Sequence, residues 1–261
     1  AAGAATLPRG ALMVEIGRSL VQLPLSSPAG QPTERLDVDL RSFDGLGMVE
    51  HVYAMAVVAK LGAVTAATVD RAGVESQYER VLQTVRYRNG VMGGYASRLL
   101  YVSEWIADND RKGLVQDLTR ELGGSLDRGP VNVRSFALAD DPTMTDPDAV
   151  DDLRRVEARL SAQGRYVVRE PALTAALPEI RDGDVVAFAS AQQGRDVSHV
   201  GLAVRVDGSI RLLHRPMGES GVRISTNSID QRLAASANED GLLLARPVAP
   251  RTAGAGSAPE P

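Results

Sequence analysis

The sequence predicts an α+β domain in which helices and sheet are segregated along the chain. Residues 10–124 read mainly as helices, with apolar side chains recurring at helical spacing. Residues 130–248 read mainly as short strands bounded by turn residues, with one inserted helix. Apolar residues make up 44% of the 261, enough for one sizeable core. We therefore expect a single domain over 10–249, with a helical part at 10–124 and a sheet part at 130–248. Ala/Gly/Pro-rich segments at 1–9 and 250–261 are expected to be flexible tails.

Each element has a local reason. Leu12, Ile16 and Leu20 line one face of a first helix over 10–22, and Pro24, Pro28, Gly30 and Pro32 then force a loop. Asp44 is a good N-cap for a second helix that is apolar nearly all round from Met48 to Leu61, and so is expected to be buried. A third helix is expected at about 72–87 and a fourth at roughly 94–110. A further helix opens at Asp146–Pro147, turns Val150, Leu153, Val156 and Leu160 inward, and ends at Gly164. Strands are expected near 130–138, 165–169, 184–190, 199–206, 209–216, 222–225 and 242–248.

Several functions are excluded or disfavoured at this stage. A net charge of −4 lacks the basic footprint that nucleic-acid binding needs. No apolar run reaches the roughly 18 residues of a membrane span. With no cysteine, the chain has no disulfide, no thiolate metal site and no catalytic thiol, and we expect no cofactor. The opening AAGAATLPRG, without a leading Met, reads as a processed precursor or a trimmed chain, which makes export an expectation.

Asp207–Gly208 between two apolar runs is a two-residue hairpin signal. With those residues as the turn, Val206 pairs with Ser209, Ala203 with Leu212 and Gly201 with His214. Period-2 alternation then puts His199 and His214 on one face as diagonal neighbours, roughly 6–8 Å apart. Gly201 opposite His214 leaves space beside both rings. Two of the three histidines thus meet. They fit an imidazole base oriented by a second imidazole. They also fit two half-buried strand histidines satisfied by backbone. A metal would need further ligands, and nothing in the sequence fixes Asp196 or Asp44 there.

The order of buried helix, GDVVAFAS (183–190), DVSHVGLAV (196–204) and LLH (212–214) resembles the NlpC-type cell-wall cysteine peptidases. More specifically it is similar to their exported, N-acetylmuramoyl-L-alanine amidase-like branch. EIGRSLVQLP (15–24), ERLDVDLRSFDGLGMVEHVYAMA (34–56) and YRNGVMGGYASRLLYVSEWIADN (87–109) belong to the same resemblance, which spans about 11–248. It implies a papain-like fold, with N-terminal helices packed on an antiparallel sheet or half-barrel and a helical insertion. It also implies His199 as base, His214 as its orienting partner and a cysteine directly after the Asp that begins the buried helix. That place holds Gly45, followed by Leu46 and Gly47. The family's oxyanion tyrosine would stand at 25, where this chain has Leu25, and Arg215–Pro216 follow His214 where the family prefers small residues.

Nucleophile and oxyanion helper are thus missing together, and covalent catalysis by this route lacks its attacking atom. Ser42 and Ser26 are the nearest hydroxyls in sequence, and neither begins the helix. The expected function is a non-catalytic homologue in the periplasm or cell envelope. It would bind peptidoglycan fragments, their stem peptides or an envelope protein partner. Two alternatives stay open: an active peptidoglycan amidase or endopeptidase using another nucleophile or being a disabled cysteine enzyme, and a structural adaptor.

Candidate ligand residues are Asp44 with Gly45 and Gly47, whose backbone N–H groups would be bare at a positive helix end, and Leu25. Arg98, Tyr101 and Trp105, three and four apart, would share a helix face as a sugar or carboxylate platform; a core role for Trp105 is the other reading. Arg88 is a weaker companion. His51 reads as a satisfied core histidine, and the acidic run from Asp140 to Asp152 as a solvated helix start.

Overall fold

A computed structural model describes residues 6–21, 23, 34–61, 70–141, 146, 148–216, 218–219 and 221–248. The helical half comprises α1 (Arg9–Ser19), α2 (Gly45–Lys60), α3 (Arg71–Arg86) and α4 (Val102–Arg111). Short strands β1 (Val115–Asp117) and β2 (Ser125–Asp127) follow, then α5 (Val133–Ala139), α6 (Ala149–Gln163), β3 (Arg165–Val167) and α7 (Ala172–Ala176). The sheet half adds β4 (Val185–Ser190), β5 (Val197–Val206), β6 (Ser209–His214), β7 (Arg223–Ser228), α8 (Ile229–Ala235) and β8 (Glu239–Pro247). The chain is α+β, as expected.

Six strands form one antiparallel sheet in the order β1-β8-β4-β5-β6-β7, while β2 and β3 pair separately. Both faces of the large sheet are covered, which explains why β4 is buried at every position instead of alternating. Val185, Ala187 and Ala189 face α1, α2 and α4, with Met48, Val52, Tyr53 and Trp105 filling that layer. Val186 and Phe188 face the opposite way, toward Leu173 of α7 and Ile229 of α8. A third cluster joins α6 to Ala96, Leu100 and Tyr101.

The buried α2 behaves as its composition requires. Asp44 accepts the Gly47 N–H at 2.7 Å, capping the helix, and eleven residues from Gly47 to Val58 are buried. The Asp207–Gly208 turn is also as expected: both residues have positive φ, 49° and 79°, and Val206 pairs with Ser209 and Ala203 with Leu212.

Two expectations fail. The strand expected near 130–138 is α5. Only Val131 makes a bridge, to Gly194, after which the Gly194 carbonyl accepts from both Asn132 and Val133 and turns the chain into a helix. Val133–Ala139 buries Ser135 and Leu138, three apart, a helical spacing obscured by the β-branched residues before it. The helix expected over 94–110 is broken. Tyr95–Ser97 forms one tight turn, Arg98 is extended (φ −68°, ψ 137°), and α4 starts only after Tyr101. The Leu99 N–H bonds to the Arg86 carbonyl and so leaves the helical ladder.

Candidate active-site groove

The site is built where the first turn of α2 meets β5 and the end of β6. Gly45 opens α2, and a Cβ placed on it would lie 3.2 Å from the Val200 carbonyl oxygen and 3.4 Å from Val200 Cγ1. Helix backbone therefore packs directly on strand backbone, an approach glycine permits. Gly201 does the same on the sheet, where a Cβ would stand 2.6 Å from the Leu213 oxygen and 2.9 Å from His214 Cβ. That contact holds β5 and β6 close at the level of the two histidines.

His199 Nε2 and His214 Nδ1 are 2.6 Å apart, with ring centroids at 4.7 Å and planes at 85°. The pair is thus tighter than pleat geometry alone predicts, and one nitrogen must carry the proton while the other accepts it. Burial holds His199 down at about 4, helped by the Arg232 charge. Burial also holds His214 at about 3, with His199 and Arg232 adding to it. Both rings are neutral at physiological pH, the state a general base requires.

Neighbouring groups fix β5 at this point. A β-bulge follows the Phe188–His199 pair, a feature common beside functional sites. Ser198 donates to Glu239 at 2.5 Å, and Arg232 grips Glu239 at 2.6 and 2.9 Å while lying 4.3 Å from the Phe188 ring centre. No group of three or more metal-ligating side chains occurs among the described residues.

His199 opens into a groove of two chambers that share Asp44, Leu46, Leu100 and Arg134. The first, about 440 Å³, contains Gly45, His199, Tyr101, Asp196 and Ser198. The second, about 210 Å³, is polar and holds Glu34, Arg35, Asp37, Arg86 and Arg98. Burial works against the Arg98 charge, but Glu50, Asp44 and Glu34 overcome it and raise its pKa. Burial pushes the Glu34 carboxyl up, although Tyr87 donates to it at 2.5 Å. A buried Arg86–Glu50 pair at 2.7 Å closes the floor. There Arg86 also donates to the Asp37 carbonyl at 2.7 Å and faces His51 Nε2 at 3.3 Å. His51 bonds Tyr78 through Nδ1 and is 2% exposed, so it is a satisfied core histidine, held neutral at about 3 mainly by burial.

The sequence-level candidates separate accordingly. Asp44, Gly45, His199 and Arg98 line the groove, whereas His214 lines neither chamber and reaches it only through its hydrogen bond to His199. Gly47 lines it too, but its N–H is already taken by Asp44, so it is not a bare donor. The proposed Arg98–Tyr101–Trp105 face does not form, because Arg98 precedes α4. Trp105 is fully buried in the core and lines neither chamber. Tyr101 lines the first chamber but its hydroxyl is bonded to the Glu157 carboxylate. Arg88 points elsewhere and grips Glu104 at 2.7 and 3.1 Å. Leu25 lies outside the described residues. Ser42 lines the second chamber and not the first. Sequence reasoning missed Arg86, Arg134 and Glu34. Arg134 was hidden by the misread strand, and an arginine in the last turn of α3 gave no sign of facing inward.

The fold is similar to that of amidase relatives. The model of the AmiA-like family, described as N-acetylmuramoyl-L-alanine amidase-like, matches residues 18–236, and the chain belongs to that family. Its structure is similar to an N-acetylmuramoyl-L-alanine amidase from Bacteroides uniformis ATCC 8492. That comparison gives 27% identity and a TM-score of 0.79, covering 92% of this chain and 99% of the other. A Bacteroides fragilis protein provisionally assigned as a xylanase is 28% identical with a TM-score of 0.77, covering 89% and 99% of the two chains. A protein of Legionella pneumophila str. Philadelphia 1 shares the fold at 16% identity and a TM-score of 0.65, over 94% and 90% of the two chains. No curated protein matches the chain.

Proposed function

We propose that this protein is a non-catalytic member of the amidase-like family that binds peptidoglycan fragments in the cell envelope. In this reading the fold is the papain-like NlpC arrangement, His199 is the retained base, His214 orients it, and Gly45 stands where the family has its nucleophilic cysteine. The observation that carries the reading is a glycine at the start of α2 beside an intact, neutral histidine pair. Acyl transfer through a covalent intermediate needs a nucleophile at that helix end, and a base alone does not provide one. The ligand is a muropeptide whose stem-peptide carboxylates meet the arginines of the second chamber, since guanidinium forks suit planar carboxylates. A protein partner in the envelope would use the same groove.

The test compares the parent, Gly45→Ala and Gly45→Cys. Each is incubated with purified peptidoglycan and defined muropeptides, with released fragments followed by mass spectrometry and binding by calorimetry. The expected result is saturable muropeptide binding by a silent parent, weakened by Arg98→Ala. Cleavage by Gly45→Cys alone would add that the base pair is still competent. Cleavage by the parent would overturn the non-catalytic reading. A silent parent that binds no muropeptide would overturn the ligand.

A further inference from the structure

Tyr101 and α5 form two walls of the first chamber, and a residue outside the groove holds both. Glu157 of α6 is 3% exposed and lines neither chamber. Its Oε1 accepts the Tyr101 hydroxyl and, at 2.8 Å, the Ser135 N–H in the first turn of α5. Among the described residues it makes no ion pair. A buried carboxylate without a cation is costly, so these two hydrogen bonds are what compensate it there. Burial, and then the bond to Glu157, keep the Tyr101 hydroxyl protonated and therefore donating.

The consequence reaches Arg134. Its guanidinium carbon lies 5.7 Å from the centre of the Tyr101 ring, within the range of a cation–π contact, and its N–H faces the Tyr101 hydroxyl. The Arg134 side chain is exposed, makes no hydrogen bond or ion pair among the described residues, and lines both chambers. A long side chain so placed samples many rotamers unless its contacts are fixed. Glu157 fixes both sides of this contact. It holds the ring through the hydroxyl, and the backbone that carries Arg134 through the N–H of the next residue. The helix itself is only seven residues long and buries just Ser135 and Leu138. Its start is held otherwise by the Gly194 carbonyl, on the side away from α6.

We propose that Glu157 is a positioning residue of the groove. Through Tyr101 and Ser135 it sets the spacing of two walls of the first chamber, and it holds Arg134 at the junction of the two chambers to meet a ligand carboxylate. The ligand half of this proposal rests on the muropeptide reading; the half that concerns the two walls stands without it. Glu157 itself touches no ligand. Both of its bonds end on one oxygen, and a glutamine carbonyl can accept both, so Glu157→Gln should preserve the arrangement that Glu157→Leu removes.

The test compares the full protein with Glu157→Gln, Glu157→Leu and Tyr101→Phe. The readouts are amide hydrogen exchange, the Arg134 Nε–H signal in NMR, and calorimetry with an N-acetylmuramoyl tripeptide. In Glu157→Leu, exchange should rise over α5 but not over β4, and the Arg134 signal should lose the displacement that the Tyr101 ring imposes. Affinity should fall about 10- to 100-fold, the range of one hydrogen bond to a charged group. Glu157→Gln should stay within about threefold of the parent. Tyr101→Phe, which keeps the ring and removes one bond, should fall between the two. A residue that only supports the fold would lower stability without a ligand-specific loss that glutamine restores. Unmoved α5 exchange and an unmoved Arg134 signal in Glu157→Leu would overturn the proposal. So would Glu157→Gln behaving like Glu157→Leu, or unchanged affinity in a variant whose α5 has loosened. If the parent binds no muropeptide, the ligand half falls with that reading, and exchange and the Arg134 signal decide the walls. If Glu157→Leu does not fold, Tyr101→Phe decides, since it must move the Arg134 signal and raise exchange in α5.

Discussion

Replacing Arg86 by Met tests the floor of the groove. Arg86 is 3% exposed and Glu50 1%, and their 2.7 Å pair is joined by the Asp37 carbonyl and the His51 ring. Met keeps much of the side-chain volume but removes all three partners. The Glu50 carboxylate is then left buried beside no cation at this distance, which costs about 3–5 kcal/mol. For a domain of this length that is roughly a 10 °C fall in Tm. Urea unfolding followed by circular dichroism measures the loss directly. The Arg86 charge is also the second cause, after burial, of the low His51 pKa, so the variant should raise the His51 titration midpoint in NMR. Glu50→Met added to Arg86→Met should recover much of the stability, because it removes the orphaned carboxylate. A loss below about 1 kcal/mol, the range of an exposed pair, would refute the reasoning, as would a double variant no more stable than the single one.

Three other outcomes follow from the same geometry. The folded pKa values of His199 and His214, about 4 and about 3, lie below the ordinary histidine value. The unfolded chain therefore takes up these protons first, and stability, complete above about pH 6.5, is lost as the pH falls toward those values, by up to roughly 3 kcal/mol for His199 and somewhat more for His214. Thermal melts across that window should show it, and His199→Gln should flatten the slope. Gly201→Ala would push its Cβ to 2.6 Å from the Leu213 oxygen, so β5 and β6 must part. A loss of about 1–3 kcal/mol is expected, together with a weakened histidine hydrogen bond visible in imidazole nitrogen shifts. Asp44→Ala removes the α2 cap and should lower stability by about 1 kcal/mol; an unchanged unfolding midpoint would show the cap to be idle.

The parts of the fold that sequence made legible are those governed by local rules. Asp44 before an apolar run, and Asp207–Gly208 between two others, each need only neighbouring residues to act, and both behave as their chemistry requires. The His199–His214 pairing was legible for the same reason, since one turn sets the register of both strands. Arg98, Tyr101 and Trp105 misled because their spacing is helical while the backbone is not. A long-range bond from Leu99 to Arg86 overrides local preference there, and no local pattern reports it. The second chamber was hidden because its arginines come from the 34–37 segment, α3, the 95–100 segment and α5, and only packing brings them together. The misread strand at 130–138 removed Arg134 from consideration for a similar reason, its helix being started by a carbonyl of distant Gly194.

The close seat of Gly45 on β5 makes position 45 asymmetric toward substitution. Adding a side chain at position 45 requires the Val200 carbonyl or the helix start to yield by a few tenths of an ångström. Losing one requires nothing of its neighbours. A side chain at 45 is therefore seated only with a small shift of the strand or of the helix start. Substitutions at and around Val200 that widen the gap should make a side chain at 45 easier to seat. Libraries aimed at installing chemistry here should vary those positions before, or together with, the glycine.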